Sequence, residues 1–90
     1  MSTLTLPVRL TKSDVSAELA RLQPLLQAAD DPVLDASALQ DLDTAALALL
    51  MACQRQVGAA GRALRVTGAP PKLGQLARLY GVEALLGLQG

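Results

Sequence analysis

Val33-Leu34-Asp35-Ala36-Ser37-Ala38-Leu39-Gln40-Asp41-Leu42-Asp43-Thr44-Ala45-Ala46-Leu47-Ala48 is the stretch on which the fold turns. Its apolar start, Val33-Leu34, fits a buried β-segment running from Val33 to Ser37. Asp35 must then lie near the carboxyl end of that strand, where its charge reaches water. Leu39 and Leu42 read as two apolar pins in the loop that follows. Asp43-Thr44 opens a helix expected to run to about Ala59 and to stop at Gly61. Leu47, Leu50, Met51 and Gln54 share one side of it. Ala45, Ala46, Ala48, Leu49 and Ala52 make it apolar nearly all round, so it is either deeply packed or waiting for a partner.

The flanks repeat the pattern. Thr3 to Leu10 alternates, with Leu4, Leu6, Val8 and Leu10 on one face, as in a half-buried strand. Pro7 cannot donate to a ladder and marks an edge or an irregular side. Ser13-Asp14 opens a helix, with Val15, Leu19, Leu22 and Leu26 as its core stripe. Pro24 predicts a kink, or a helix ending near Leu22. Asp30-Asp31-Pro32 is a turn. Beyond the central unit, Ala63 to Thr67 alternates and ends at Gly68. Pro70-Pro71 opens a third helix whose buried stripe is Leu73, Leu76, Ala77 and Tyr80, with Gly81 as its C-terminal cap. Val82 to Leu88 is an apolar tail that should pack back on the sheet. Strand, helix, strand, helix, strand, helix is the order of an α/β domain with parallel neighbours. Its functional loops lie beyond the carboxyl ends of the strands, at Ser37 to Thr44 and Thr67 to Pro71.

Composition narrows the chemistry. Ninety residues, 51% of them hydrophobic and 18% charged, make one globular domain spanning residues 1–90 with one modest core. With His 0 there is no imidazole base, no His triad and no His-ligated metal. Cys53 alone forms no internal disulfide and no thiolate cluster. Eight basic and eight acidic side chains cancel, and Tyr80 is the only aromatic, so neither a phosphate-seeking field nor a base-stacking platform exists. Nucleic acid is therefore not an expected partner. The same shortage of aromatic anchors and of basic surplus argues against direct membrane insertion. Met1 to Thr5 has no signal-like pattern, and the longest apolar run, Ala45 to Cys53, falls well short of the ~20 residues of a bilayer span. A cytoplasmic protein is expected.

Each polar constellation has a plain structural reading beside a functional one. Asp43 or Thr44 caps backbone N–H groups, worth ~1 kcal/mol. Alternatively Thr44 accepts a phosphate, which gains from the helix dipole but sits beside Asp43. Asp35, Asp41 and Asp43 could gather around Mg²⁺. No glycine-rich phosphate loop or lysine accompanies them, and solvated loop acids are the better reading. Cys53 reads as a buried, inert thiol. Arg55, Arg62 and Arg65 read as a solvated face, with a partner carboxylate or a lipid headgroup as the weaker alternative. Tyr80 reads as a core edge with its hydroxyl in water. No set of residues supplies a nucleophile with an activating base, so no enzyme is expected, and neither a cofactor nor a metal. A binding module is.

Three places resemble the STAS domain family, the fold of sulfate-transporter tails and anti-sigma-factor antagonists. Val33-Leu34-Asp35-Ala36-Ser37 resembles its strand running into an acid. Asp43-Thr44-Ala45-Ala46-Leu47-Ala48 is similar to its Asp, Ser/Thr, Ser/Thr/Gly, Gly, Leu, Gly/Ala signature. Arg65-Val66-Thr67-Gly68-Ala69-Pro70, with Leu79-Tyr80-Gly81-Val82, resembles its last strand, loop and closing turn. The resemblance implies an α/β fold: a small STAS-like mixed sheet of three to four strands packed with about three to four helices. It also implies that Thr44 is the phosphorylation or partner-sensing position. The family's second hydroxyl position is occupied here by Ala45, and its glycine by Ala46.

The small Leu/Ala-rich pattern most resembles the MlaB-like branch. That branch comprises accessory subunits that bind the ATPase subunit of an ABC-type phospholipid transporter maintaining outer-membrane lipid asymmetry. The resemblance thus implies a non-enzymatic regulatory subunit, cytoplasmic and peripheral on the inner membrane through its transporter. The alternative is an anti-sigma-factor antagonist regulated by a serine/threonine kinase acting on Thr44. In either case Asp41, Asp43, Thr44, Ala45, Ala46, Thr67 and Gly68 are the expected partner-binding or phosphoacceptor positions.

Overall fold

Alternation carries the first strand only to Thr5. In the computed structural model, which describes residues 2–89, β1 is Ser2–Thr5 and a separate β2 is Arg9–Leu10. The expected single strand from Thr3 to Leu10 is therefore two, because Pro7 offers no N–H and the chain bends at Val8. Leu6 and Leu10 still reach the core. Val8, expected beside them, is 54% exposed, since the bend breaks the period of two.

Helix α1, Val15–Ala28, contains Pro24 and continues past it. The ring lies on the exposed side of the helix, where water can serve the carbonyl left without its N–H partner. Leu22 and Leu26 stay fully buried on either side of it. Asp14 holds the N-cap position, yet its side chain does not cap. The carboxylate instead accepts from Thr11 N–H at 3.0 Å and Thr11 Oγ1 at 2.8 Å, and pairs with Arg9 at 2.9 Å.

The central strand β3 is Pro32–Asp35, a residue earlier at its start and two shorter at its end than expected. Pro32 is tolerated as the first residue of a strand. Asp35 lies at the carboxyl end, half-buried, and accepts from Ser37 N–H at 2.9 Å. The following loop contains a short strand, β4, at Asp41–Leu42, and Leu39 and Leu42 pin it with only 2% exposure each. Helix α2 is Thr44–Ala59, β5 is Arg65–Thr67, α3 is Pro71–Leu79 and β6 is Leu88–Gln89. A 3-10 turn at Glu83–Leu85 lies between the last two.

The main sheet has the order β1-β3-β5-β6, and a second small ladder joins β2 to β4. Every pairing among the described residues is parallel, as the alternation of strand and helix implied, and the mixed sheet that the resemblance implied is not seen among them. The reason is that each strand of the main sheet returns to the next through a helix, and such a crossover brings the chain back in the same direction. The apolar tail does pack back, adding β6 beside β5 and burying Leu86 completely. Tyr80 departs from expectation. Helix α3 ends at Leu79, and Tyr80 is its C-cap with 59% of its surface exposed, so the buried stripe is Leu73 and Ala77 with Leu76 partly covered.

The core joins Leu34 and Val66 of the central strands to Leu22 and Leu26 of α1 and to Leu50, Cys53 and Val57 of α2. Helix α2 is thus largely packed, and α1 lies against it. Burial pushes the Cys53 thiol up to about 11, with Glu18 a smaller contributor, so the buried thiol stays protonated at neutral pH.

Two predictions follow the geometry. Gly68 (φ +67°) and Gly81 (φ +69°) are both left-handed, but a Cβ on Gly68 falls 2.9 Å from Ser37 Cβ while one on Gly81 meets open space. Gly81→Ala should cost ~1–2 kcal/mol from backbone strain alone, and Gly68→Ala a further ~1–3 kcal/mol from overlap, read from urea midpoints at matched m-values. The Asp14 carboxyl, held first by Arg9 and then by Thr11, lies at about 2 rather than 3.8. The fold therefore favours its charged form. That contribution is complete above about pH 4 and is lost as pH falls towards about 2. Asp14→Asn should lower stability at neutral pH and show a smaller loss than wild type between those two limits in urea titrations.

Candidate functional site

Parallel strands deliver their carboxyl ends to one edge. The chain leaving β1, β3 and β5 turns there, and two bonds fix the relative level of these exits. Leu6 N–H donates to Asp35 O at 2.9 Å, and Ala36 N–H to Thr67 O at 2.7 Å. The β2–β4 ladder extends this region, with Gln40 and Asp41 N–H both donating to Val8 O. The expected functional loops, Ser37 to Thr44 and Thr67 to Pro71, both start at this edge.

Asp43 ties the region together. It is the N-cap of α2 in an extended conformation, and Oδ1 accepts from Ala45 N–H at 2.8 Å. Oδ2 accepts from Lys12 N–H at 3.2 Å, in the turn before α1. One carboxylate thus serves the first turn of one helix and the approach to another, a larger role than the capping expected of it. Thr44 follows at the first helical position, exposed, and its hydroxyl makes no hydrogen bond among the described residues. It stands at the positive end of the α2 dipole with free donor and acceptor capacity.

The other expected positions divide. Asp41 is exposed on β4 and Ala45 is half-buried, so both adjoin Thr44 at the surface. Ala46 is fully buried, because the third residue of the helix turns inward beneath it, and no partner can reach its side chain. Thr67 and Gly68 belong to the neighbouring exit. Gly68 lies against Ser37 at the head of the β3–β4 loop, and neither residue is hydrogen-bonded to the Asp43–Thr44 corner among the described residues.

Asp35, Asp41 and Asp43 do not form a metal-binding group. Among the described residues no set of three or more His, Cys, Asp or Glu side chains is placed to hold an ion. Each acid has its own surroundings. The Ser37 hydroxyl and amide hold the Asp35 carboxyl below its ordinary value, while Asp43 is engaged as above. The three arginines are also used separately. Arg65 pairs with Asp31 at 3.1 Å, Arg62 reaches Leu26 O at 3.5 Å and Arg55 is exposed.

Beyond β5 a cleft of about 580 Å³ opens beside Gly68, Pro71 and Gln75. Its charged residues, Arg78 and Glu83, are paired with each other at 3.4 Å. The expected functional loop at Thr67 to Pro71 lines this cleft, but sequence reading gave no sign of its other walls, nor of the Lys12–Asp43 contact, since both depend on how distant segments meet. No helix among the described residues is long and apolar enough to cross a membrane.

This arrangement presents a helix start tied down by Asp43, with the Thr44 hydroxyl unbonded among the described residues. The family model described as "Mlab, STAS domain" matches residues 2–87. A solved structure described as an anti-sigma-factor antagonist (STAS) domain protein from Planctomyces limnophilus superposes with a TM-score of 0.81 at 11% identity, over 96% of this chain and 79% of that one. At that identity the likeness concerns the fold. No curated protein matches the sequence. With the family model spanning almost the whole chain and the fold found again in a solved relative, this chain belongs to the MlaB-type STAS domain family, whose members serve as regulatory or accessory domains.

Proposed function

We propose that the chain is a non-enzymatic accessory subunit that docks on the ATPase of an ABC-type phospholipid transporter maintaining outer-membrane lipid asymmetry. The observation that carries this reading is the exposed, unbonded Thr44 hydroxyl on a helix lip immobilised by Asp43, in a chain matched by an MlaB-type family model. Asp41, Thr44 and Ala45 form the centre of the contact, and Thr67 and Gly68 its flank. Small residues there let a partner backbone approach closely, and the fixed lip loses little entropy on binding. Binding the assembled form of the ATPase more tightly than the free form is how such a subunit regulates it. In this reading the protein is cytoplasmic and meets the inner membrane through the transporter.

A second reading is favoured by the same free hydroxyl. Phosphorylation of Thr44 by a serine/threonine kinase would place about two negative charges next to Asp43, whose carboxylate already occupies Ala45 N–H. The docking surface, which already bears Asp41 and Asp43, would become strongly negative without unfolding the domain, as an anti-sigma-factor antagonist requires.

Titration calorimetry against the purified ATPase subunit of the host's phospholipid transporter tests the first reading. Thr44→Ala should bind within about threefold of wild type. Thr44→Glu should bind at least ~10-fold more weakly, ~1.4 kcal/mol, because it places an unpaired charge in the contact. Equal affinity for Thr44→Glu removes Thr44 from the interface, and no binding by wild type removes the transporter reading. Intact mass after incubation with the host's serine/threonine kinase and ATP tests the second reading, through one added phosphate that is absent from Thr44→Ala.

A further inference from the structure

Arg55 is the exception among the arginines. Arg9, Arg21, Arg65 and Arg78 each pair with a carboxylate, and Arg62 donates to a carbonyl. Arg55 is exposed on α2 and makes no ion pair or hydrogen bond among the described residues. It borders an open groove of about 300 Å³, whose other walls are Met51, Gln54 and Leu85. Gln54 turns its amide N–H groups inward, to Leu64 O at 2.8 Å and Leu86 O at 2.9 Å. The charge facing an incoming group is therefore that of Arg55. Leu85 is 59% exposed although the turn that carries it is fixed by Leu85 N–H to Val82 O at 2.9 Å. A thioether and a leucine form an adaptable apolar seat, and a guanidinium beside it matches a carboxylate.

Position on α2 links this groove to the Thr44 lip. Thr44, Ala48, Met51 and Arg55 are spaced by 4, 3 and 4 residues, so they share one face over about 16 Å. Ala48 between them is exposed and small. We propose that the groove is a second anchor of the docking surface and takes an acidic amphipathic helix of a partner protein. One large apolar side chain of that helix sits between Met51 and Leu85, and a carboxylate about one turn away pairs with Arg55. This rests on the docking reading of the Thr44 face for which partner supplies the helix. A lipid suits the groove less well, because it is shallow and the chain carries neither a basic surplus nor aromatic anchors.

Amide chemical-shift mapping of the full chain tests the proposal without the ATPase. The probes are a helical peptide of roughly fourteen residues with leucines on one face and glutamates beside them, and its counterpart with lysine for glutamate. The acidic peptide should shift the amides of Met51, Arg55 and Leu85. Arg55→Glu and Leu85→Ser should each weaken it at least ~10-fold and ~5-fold respectively, while Lys72→Glu leaves it unchanged and the lysine peptide does not bind. Equal binding of the two peptides, or no shift at these amides, overturns the proposal. So do shifts of the same amides on raising protein concentration alone, which mark a second copy. Shifts with phosphatidylglycerol vesicles but not with the peptide mark a lipid site and overturn it as well. If the ATPase fails to bind wild type while the acidic peptide binds here, the transporter reading falls and the groove assignment stands.

Discussion

Close approach of elements is the constraint from which the rest of this structure follows. The chain has no Phe or Trp and builds its interior mainly from leucine, alanine and valine. Without large rings to span gaps, helices and strands fill space only by coming near one another. Ala36, Ala46 and Ala77 are all fully buried, each at a place where a longer side chain would hold two elements apart. Gly87 carries this furthest, since a Cβ there would run into Leu64 O, and at Gly68 one would fall 2.9 Å from Ser37 Cβ. The parallel order β1-β3-β5-β6 suits such a core, because each crossover lays a helix over the sheet it has just left.

That closeness also shapes the surface. Asp43 can bond both Ala45 and Lys12 because the α1 approach and the α2 start are drawn together above the strand ends. The result is a loop and helix start tied together by two hydrogen bonds to one carboxylate, with the Thr44 hydroxyl left unbonded among the described residues. For the docking role proposed above, such ties lower the cost of ordering the loop on binding. Asp14 does the same for the neighbouring turn, gathering Arg9 and Thr11 around one carboxylate. Two acids near helix starts therefore have different duties. One caps its own helix, and the other organises the chain before its helix begins.

Much of this was legible in the sequence because it is local. The two-residue alternation of the strands, the Asp43 cap, the proline start of α3 and the glycine after it are each decided within a few residues. So was the central position of Val33 to Asp35, whose apolar start and terminal acid fit only a strand ending at water. What was not legible depends on meetings across the chain. Pro7 marked an irregularity, but that β2 beyond it pairs with β4 did not show. The inward turn of Ala46 follows from which side of α2 faces the sheet, and an apolar helix hides that side from periodicity analysis. Tyr80 was placed in the stripe by its spacing from Leu73 and Leu76, but the helix closes one residue before it, and the cap turns it outward. Arg55 showed only as one of three basic residues. Its isolation became visible once the others had found their carboxylates and carbonyls.

The break at Pro7 has a consequence for the protein in a crowded cell. An outer strand with unsatisfied amides and carbonyls invites another chain to add itself, and long flat edges are where sheets begin to aggregate. β1 is such an outer strand, and beyond Thr5 the proline interrupts its ladder. A foreign strand pairing with β1 would lose its main-chain bonds at Pro7 and could not follow the chain on into β2. The irregularity at Pro7 thus serves as a guard, limiting how far the open margin of a leucine-rich sheet can be copied by its neighbours.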